Sequence, residues 1–182
     1  MTEDLVFLLS PARCDGRRAQ TLLNPAAQFE LARRVRSSDG ATLGEVFSFL
    51  SGLYFRGKLE YARAITGGRE GELPIRVITT NRGLRSPDEC VTRDDLIAFG
   101  DIDLASGDTR YLVPLTRDAE RVAQSISPES RVVLLGSIAT GKYVDTLLEI
   151  FGERLLFPAE FVGRGDMSRG GLLLRQDRKS VV

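Results

Sequence analysis

From position 131 the chain reads Arg131-Val132-Val133-Leu134-Leu135, a run dominated by valine and leucine. A short continuous apolar run is typical of a strand that is buried on both faces, as in a parallel sheet. Gly136 ends the run, and residues 141–151 then have the pattern of a helix. A strand that leads directly into a helix favours the α/β class of folds.

Three more segments outside this unit have the character of strands. They are Asp4–Leu9, Ile75–Thr80 and Leu155–Phe157. The segments between them predict helices at 24–36, 42–50, 57–65 and 116–126, whereas residues 86–112 have no clear pattern and are expected to be irregular. Strands that alternate with helices predict one α/β domain over residues 1–182, with a mainly parallel sheet of four strands.

The composition is that of a globular protein, with 42% hydrophobic and 27% charged residues in 182 positions. No apolar stretch is long enough to span a membrane, and the acidic start of the chain does not have the pattern of a signal peptide. Two cysteines, Cys14 and Cys90, are too few for a disulfide framework or a zinc cage. We therefore expect a cytoplasmic monomer with no metal or cofactor and no membrane partner.

Histidine and tryptophan are absent from the sequence. The absence of histidine excludes Ser-His-Asp and Cys-His nucleophiles and nearly all zinc hydrolase sites. Any catalysis must therefore use Asp, Glu, Lys, Tyr, Arg, Asn, Ser or Thr side chains.

The 25 acidic and 25 basic side chains cancel, and all but three of the basic residues are arginine. A high genomic GC content explains such a bias as well as phosphate binding does. Arg13, Arg17 and Arg18 crowd one loop, and further arginines crowd the C-terminal stretch. A neutral chain with segregated charge can still present one basic face.

Residues 136–143 read Gly-Ser-Ile-Ala-Thr-Gly-Lys-Tyr and lie between a strand and a helix, as a P-loop does. Tyr143 replaces the serine or threonine whose hydroxyl should bind magnesium, and only one strand follows. A helix N-terminus that binds an anion, or a tight turn alone, explains this segment better than an NTPase does.

Two polar residues follow predicted strands and are candidates for chemistry. Asp15 follows the first strand, where it either acts as a carboxylate in catalysis or caps a turn. Asn81 follows the strand at 75–80, where it either reads a nucleobase edge or adopts a left-handed turn. Cys14 has no histidine to activate it and is better explained as a buried thiol.

The segment from Phe157 to Gly171 combines four glycines with apolar, acidic and arginine side chains. Few structural needs explain so much glycine after the last strand, so we interpret this segment as a loop that contacts a ligand or a nucleic acid. Its candidate residues are Glu160, Phe161, Arg164, Asp166, Met167 and Arg169.

These loops, in this order, resemble those of the uracil-DNA glycosylase superfamily. Val77–Asn81 is similar to the family's apolar strand that ends in a base-reading Asn, and Leu134–Gly136 to its third strand. Asp15 matches the acid that positions water, although the Pro-Tyr pair of that motif is missing. Phe157 stands where the family has a histidine, and the segment Asn81–Asp88 is similar to that of the glycosylase-like domain of archaeal tRNA-guanine transglycosylases.

The resemblance implies a three-layer α/β sandwich with the four strands in the order 2-1-3-4. It also implies a DNA glycosylase that flips out and excises a modified base, and it makes a hypermodified phage base excised in antiphage defence one such substrate. Asp15 and Asn81 are then the catalytic residues. The residues expected to bind DNA are Arg13, Arg17, Arg82, Ser137, Thr140, Lys142, Glu160, Phe161, Arg164, Asp166 and Arg169. The alternatives are a non-catalytic nucleic-acid or nucleotide-binding module of the same fold and, further off, a P-loop-like NTPase.

Overall fold

The computed structural model describes residues 5–67, 74–104, 107–137 and 143–158. Within these ranges the strands are β1 (Leu5–Leu9), β2 (Ala41–Thr42), β3 (Ile75–Ile78), β4 (Leu84–Arg85), β5 (Cys90–Val91), β6 (Arg131–Leu135) and β7 (Leu155–Leu156). The helices are α1 (Arg17–Leu23), α2 (Glu30–Arg36), α3 (Leu43–Ser51), α4 (Leu53–Thr66), α5 (Arg93–Gly100), α6 (Thr109–Ser125) and α7 (Val144–Phe151), and a short 3-10 helix spans Gly152–Arg154. The predicted α/β class is confirmed.

The main sheet has five strands in the order β4-β3-β1-β6-β7, not the four that we expected. β1 pairs in parallel with β3 and with β6, and β6 pairs in parallel with β7. β4 adds to the edge in the antiparallel direction, because the chain turns back directly after β3 and pairs Ile78 with Leu84. The sheet is therefore mixed, and its five-strand order differs from the expected four-strand order 2-1-3-4 because β4 is added at the edge beside β3. β2 and β5 form a separate antiparallel pair.

Alternate residues of β1 face two different cores, as the pleat of a strand requires. Phe7 and Leu9 pack with α1 to α5 on one side of the sheet, where Phe47 and Phe55 meet edge to face. Val6 and Leu8 pack with α6 and α7 on the other side. Helices thus cover both faces, and the central strands are buried as their apolar sequence predicts.

The N-terminal helices differ from the prediction of a single helix over 24–36. α1 begins at Arg17, inside a segment expected to be a loop, and ends at Leu23, so that Asn24 lies outside a helix. The Asn24 side chain accepts a hydrogen bond from the backbone N–H of Ala26 at 2.9 Å, which is an Asx-turn rather than a helix cap. Thr42 does cap α3 as predicted, because its side chain accepts from the backbone N–H of Glu45.

The segment 86–112 is more regular than its sequence suggested. It contains β5, the whole of α5 and the start of α6, which begins at Thr109 rather than at 116. α6 continues through Pro114. Proline has no N–H and lowers the helical content expected from the sequence, which is why the first turns of α6 escaped prediction. No helix in the described part of the chain is long and apolar enough to cross a membrane.

Candidate functional site

The parallel strands β1, β3 and β6 end at one edge of the sheet, because they run in the same direction. The loops that leave this edge begin at Ser10, Thr79 and Gly136. Ligands of such sheets bind in the crevice beyond the carboxyl ends of the strands. Asp15, Asn81 and Ser137, which the sequence singled out, are each carried by one of these three loops.

Asn81 lies in a groove of about 650 Å³ that is bounded by the ends of α5 and α6. The apolar walls come from Ile102, Val113 and Pro114, and Val113 is 64% exposed. The Oδ1 atom of Asn81 is buried and has no hydrogen-bond partner among the described residues. A buried carbonyl oxygen without a donor costs free energy, so a ligand that brings an N–H or O–H group to this atom gains affinity.

The cations of the groove are already paired with carboxylates. Arg82 forms an ion pair with Asp95, and its guanidinium lies over the ring of Phe99 at 5.8 Å. Arg110 binds Asp108 at 2.6 Å and Asp101 at 3.3 Å. The described part of the groove therefore suits an uncharged hydrogen-bond donor better than a phosphate.

Asp15 and Arg13 lie together on the loop after β1. Arg13 donates through Nε to one oxygen of Asp15 at 2.6 Å and through its terminal nitrogen to the other at 3.1 Å. This hydrogen bond to Arg13 holds the pKa of Asp15 below its usual range. The Asp15 side chain remains 52% exposed, so the carboxylate is ionised and accessible to water.

The Asp15 loop and the groove meet at the C-terminal end of α5. A Cβ atom on Gly100 would lie 3.1 Å from the carbonyl oxygen of Cys14, so the absence of a side chain at this position lets the loop pack closely against α5. Ala98, two residues earlier in α5, lines the groove. The two predicted catalytic residues, Asp15 and Asn81, thus flank the same helix end, although Asp15 does not line the groove itself.

Cys14 is buried, and burial raises the pKa of its thiol to about 12. Since the thiolate is the nucleophile, a thiol with so high a pKa is inert at neutral pH. The interpretation of Cys14 as a buried structural thiol agrees with this environment.

Lys58 is the charged residue that the sequence reasoning missed at this edge of the sheet. It is 1% exposed, and its ammonium donates to the backbone oxygen of Ser10 at 2.9 Å and to the Ser10 hydroxyl at 2.7 Å. It also lies over the ring of Tyr54 at 4.4 Å. The signal was present in the sequence, because Lys58 falls four residues after Tyr54 on the apolar face of α4.

A serine beside a buried lysine is one arrangement of an activated nucleophile. Here the Ser10 hydroxyl is enclosed, because a Cβ atom on Gly136 would lie 2.7 Å from the Ser10 Cβ and 2.7 Å from the Tyr143 hydroxyl. Ser10 is only 6% exposed. The pair therefore fixes the end of β1 and the loop that carries Asp15 rather than attacking a substrate.

The segment that looks like a P-loop uses Tyr143 within its own loop. The Tyr143 hydroxyl donates to the backbone oxygen of Ser137 at 2.9 Å, and Tyr143 itself is 4% exposed. This contact joins the two ends of the loop and gives Tyr143 a structural role there. The predicted phosphate-binding residues Thr140 and Lys142 lie outside the described residues.

The remaining predicted residues are divided between the surface and the undescribed part of the chain. Arg17 is the exposed first residue of α1. The candidate residues of the C-terminal loop lie outside the described residues, and they are Glu160, Phe161, Arg164, Asp166, Met167 and Arg169.

Within the described ranges, no group of three or more Cys, Asp or Glu side chains is arranged to hold a metal ion. Comparisons with protein-family models, with curated proteins and with solved structures found no match to this chain.

Proposed function

We propose that this protein is a DNA glycosylase that flips out a modified base and hydrolyses its N-glycosidic bond. The observation that carries the proposal is the buried, unpartnered Oδ1 atom of Asn81 in a groove at the carboxyl end of β3. A flipped base would fill this groove with a flat ring, and an N–H group at its edge would donate to the unpartnered oxygen of Asn81. The sequence resemblance, with an Asn at the same point after an apolar strand, supports the same role.

The proposed reaction needs one carboxylate and one base-reading side chain. The bond between the sugar C1′ and the base nitrogen breaks with its electron pair leaving on the base, and positive charge develops on the sugar. The ionised Asp15 offsets that charge and orients the water whose oxygen bonds to C1′. Asn81 holds the leaving base, which takes up a proton as it departs.

The DNA backbone is assigned to the loops around this edge. The loop before α7 binds phosphates of one DNA strand through Ser137, Thr140 and Lys142. The same DNA strand is bound by Arg13 and Arg17. Arg164 and Arg169, in the C-terminal loop, bind the DNA backbone. Phe161 or Met167 of the same loop inserts between stacked bases. Contacts of this kind offset the few kcal/mol that unstacking a base costs.

A second candidate is a nucleic-acid-binding module of the same fold without catalysis. The observation that favours it is the two-point hydrogen bond from Arg13, which occupies both oxygens of Asp15. A carboxylate held in this way stabilises its loop as well as it would orient water. The two candidates differ in what the protein does after the base is bound.

The first prediction separates them by removing the charge of Asp15. Asp15→Asn keeps the shape of the side chain and deletes the carboxylate that the proposed reaction uses. We expect base release to fall by about two to four orders of magnitude, the scale for one catalytic group, while DNA binding persists or tightens. The measurement is the formation of abasic sites in a panel of modified DNAs, including phage genomes with glucosylated or hydroxymethylated bases, with fluorescence anisotropy for binding.

Two control variants accompany this measurement. Asp39→Asn makes the same change at an exposed aspartate in the turn after α2 and leaves both readouts unchanged. Glu160→Gln tests the next acid that the sequence offers. Loss of base release in Glu160→Gln with full activity in Asp15→Asn contradicts the assignment of Asp15. Binding without base release on every DNA supports the binding module, and micromolar magnesium-dependent binding of ATP supports the NTPase.

A further inference from the structure

Asn81 is carried by a tight turn that Thr79 and Gly83 close. The Thr79 hydroxyl donates to the backbone oxygen of Gly83 at 2.9 Å and accepts from the backbone N–H of Arg82 at 3.1 Å. The backbone N–H of Thr79 donates to the same Gly83 oxygen at 2.9 Å. These bonds define the backbone on both sides of Asn81.

Gly83 has a φ of +67°, in the left-handed region that favours glycine. A Cβ atom at this position would collide with the backbone oxygen of Pro114 and with the Asp118 carboxylate. The turn is therefore pressed directly against α6, and the contact depends on the absence of a side chain.

Two helices hold the turn from outside. On the α5 side, the Thr80 hydroxyl donates to the backbone oxygen of Phe99 at 2.9 Å. On the α6 side, Oδ2 of Asp118 accepts from the backbone N–H of Leu84 at 3.1 Å. The other oxygen of Asp118 binds Arg117 at 2.8 Å, and the Asp118 side chain is 13% exposed.

One helix, α6, both holds the turn and forms a wall of the groove. Asp118 follows Pro114 by four residues, so the two lie on one face of α6. Pro114 and Val113 line the groove together with Asn81. The hydrogen bond from Leu84 to Asp118, together with the close approach of Gly83 to Pro114, thus positions the turn that carries Asn81 relative to this apolar wall.

We propose that Asp118 is a positioning residue, which holds the Asn81 amide against the groove wall through the backbone N–H of Leu84. It touches neither the groove nor a substrate. Its effect on base release rests on the proposed function, whereas its effect on the geometry of Asn81 does not.

The sequence offers a direct probe, because Asn24 and Asn81 are its two asparagines. Selective ¹⁵N labelling of asparagine side chains therefore gives two NH₂ groups in the NMR spectrum. We expect Asp118→Ala to shift the Asn81 pair and to leave the Asn24 pair in place, since Asn24 is fixed in its own turn by Ala26. Base release should fall by about ten- to hundredfold, as expected when a reacting group is misplaced by about 1 Å.

Three further variants make the test specific. Asp118→Asn adds one NH₂ pair of its own to the spectrum, retains an acceptor oxygen and should keep the Asn81 pair at its wild-type position. Arg117→Gln removes only the ion pair and should also keep the Asn81 pair there. Asp118→Glu keeps the charge and moves the carboxylate by one methylene, so it should shift the Asn81 pair even if Asp118→Ala fails to fold.

The inference is overturned if the Asn81 pair stays in place in both Asp118→Ala and Asp118→Glu, or if Asp118→Asn shifts it as far as they do. It is also overturned if both asparagine pairs move together, because that indicates a general loss of structure. A wild-type protein that releases no base from any DNA ends the proposed function, and the NMR result then still decides the role of Asp118.

Discussion

Arg13 and Asp15 show how two residues of one loop determine the charge state of a candidate catalytic group. They are separated by one position, and the side chain of Arg13 is 80% exposed. An ion pair so exposed to water contributes little to folding stability. Its effect on the pKa of Asp15 is therefore more important for chemistry than for the fold.

Arg13→Gln should raise the pKa of Asp15 from its lowered value toward the ordinary value of about 3.9. Because Asp15 is needed in its ionised form, the acid limb of the rate profile, taken relative to the rate at pH 7, should move to higher pH. A ¹³C NMR titration of the Asp15 carboxyl, together with rates of base release from pH 3 to 7, measures both effects. Arg17→Gln is the control, and an acid limb that stays in place in Arg13→Gln contradicts the assignment of Asp15.

Some residues of the site could be predicted from the sequence and others could not, for one physical reason. Asp15 and Asn81 lie in the loops that follow apolar strands, so their place at the edge of the sheet is encoded locally. Lys58 and Asp118 act on Ser10 and Leu84, which are 48 and 34 positions away. Such contacts exist only after the helices have packed, and no local pattern contains them.

The strands and helices divide in the same way, because only those with a strong local sequence pattern could be predicted. β1 and β6 could be predicted because continuous apolar runs bury both faces of a central strand. α5 was missed because Asp94 and Asp95 made its sequence look irregular, although acids in a first turn favour a helix through its dipole. β4 was missed because a strand of two residues at a sheet edge has almost no pattern of its own.

α3 offers a test of one helix start that the sequence predicted. The Thr42 hydroxyl accepts from the backbone N–H of Glu45 at 3.3 Å and donates to the Glu45 carboxylate at 2.9 Å. Thr42→Ala should lower the free energy of unfolding by about 1 kcal/mol, the usual cost of losing an N-cap. In a chain of this size the melting temperature should fall by roughly 2–4 °C.

Thr42→Ser keeps the hydroxyl and is the matched control, with a loss well below that of Thr42→Ala in calorimetry or urea unfolding. If both variants lose the same stability, packing of the threonine methyl group rather than the cap explains the effect.

For the whole molecule, the absence of histidine shapes how stability depends on pH. No side chain of this sequence has an ordinary pKa between those of its carboxylates and those of its two thiols. At the acid end, hydrogen bonds from neighbouring side chains lower the pKa of Asp15, Glu45, Asp108 and Glu129 in the folded state. At the alkaline end, burial raises the pKa of Cys14 to about 12.

These shifts predict a plateau of stability with a fall on each side. A carboxyl whose pKa is lower in the folded state stabilises the protein above its unfolded pKa of about 4, and this contribution is lost as the pH falls below that value. A thiol whose pKa is raised by burial ionises first in the unfolded chain, so stability falls as the pH rises above about 8.5.

The urea midpoint should therefore be nearly constant between about pH 5 and 7 and lower at pH 3 and at pH 9.5. Glu45→Gln should weaken the acid limb, and Cys14→Ala should flatten the alkaline limb while lowering the whole curve. A midpoint that changes strongly between pH 5 and 7 contradicts the prediction, because it requires a titrating group that this composition does not supply.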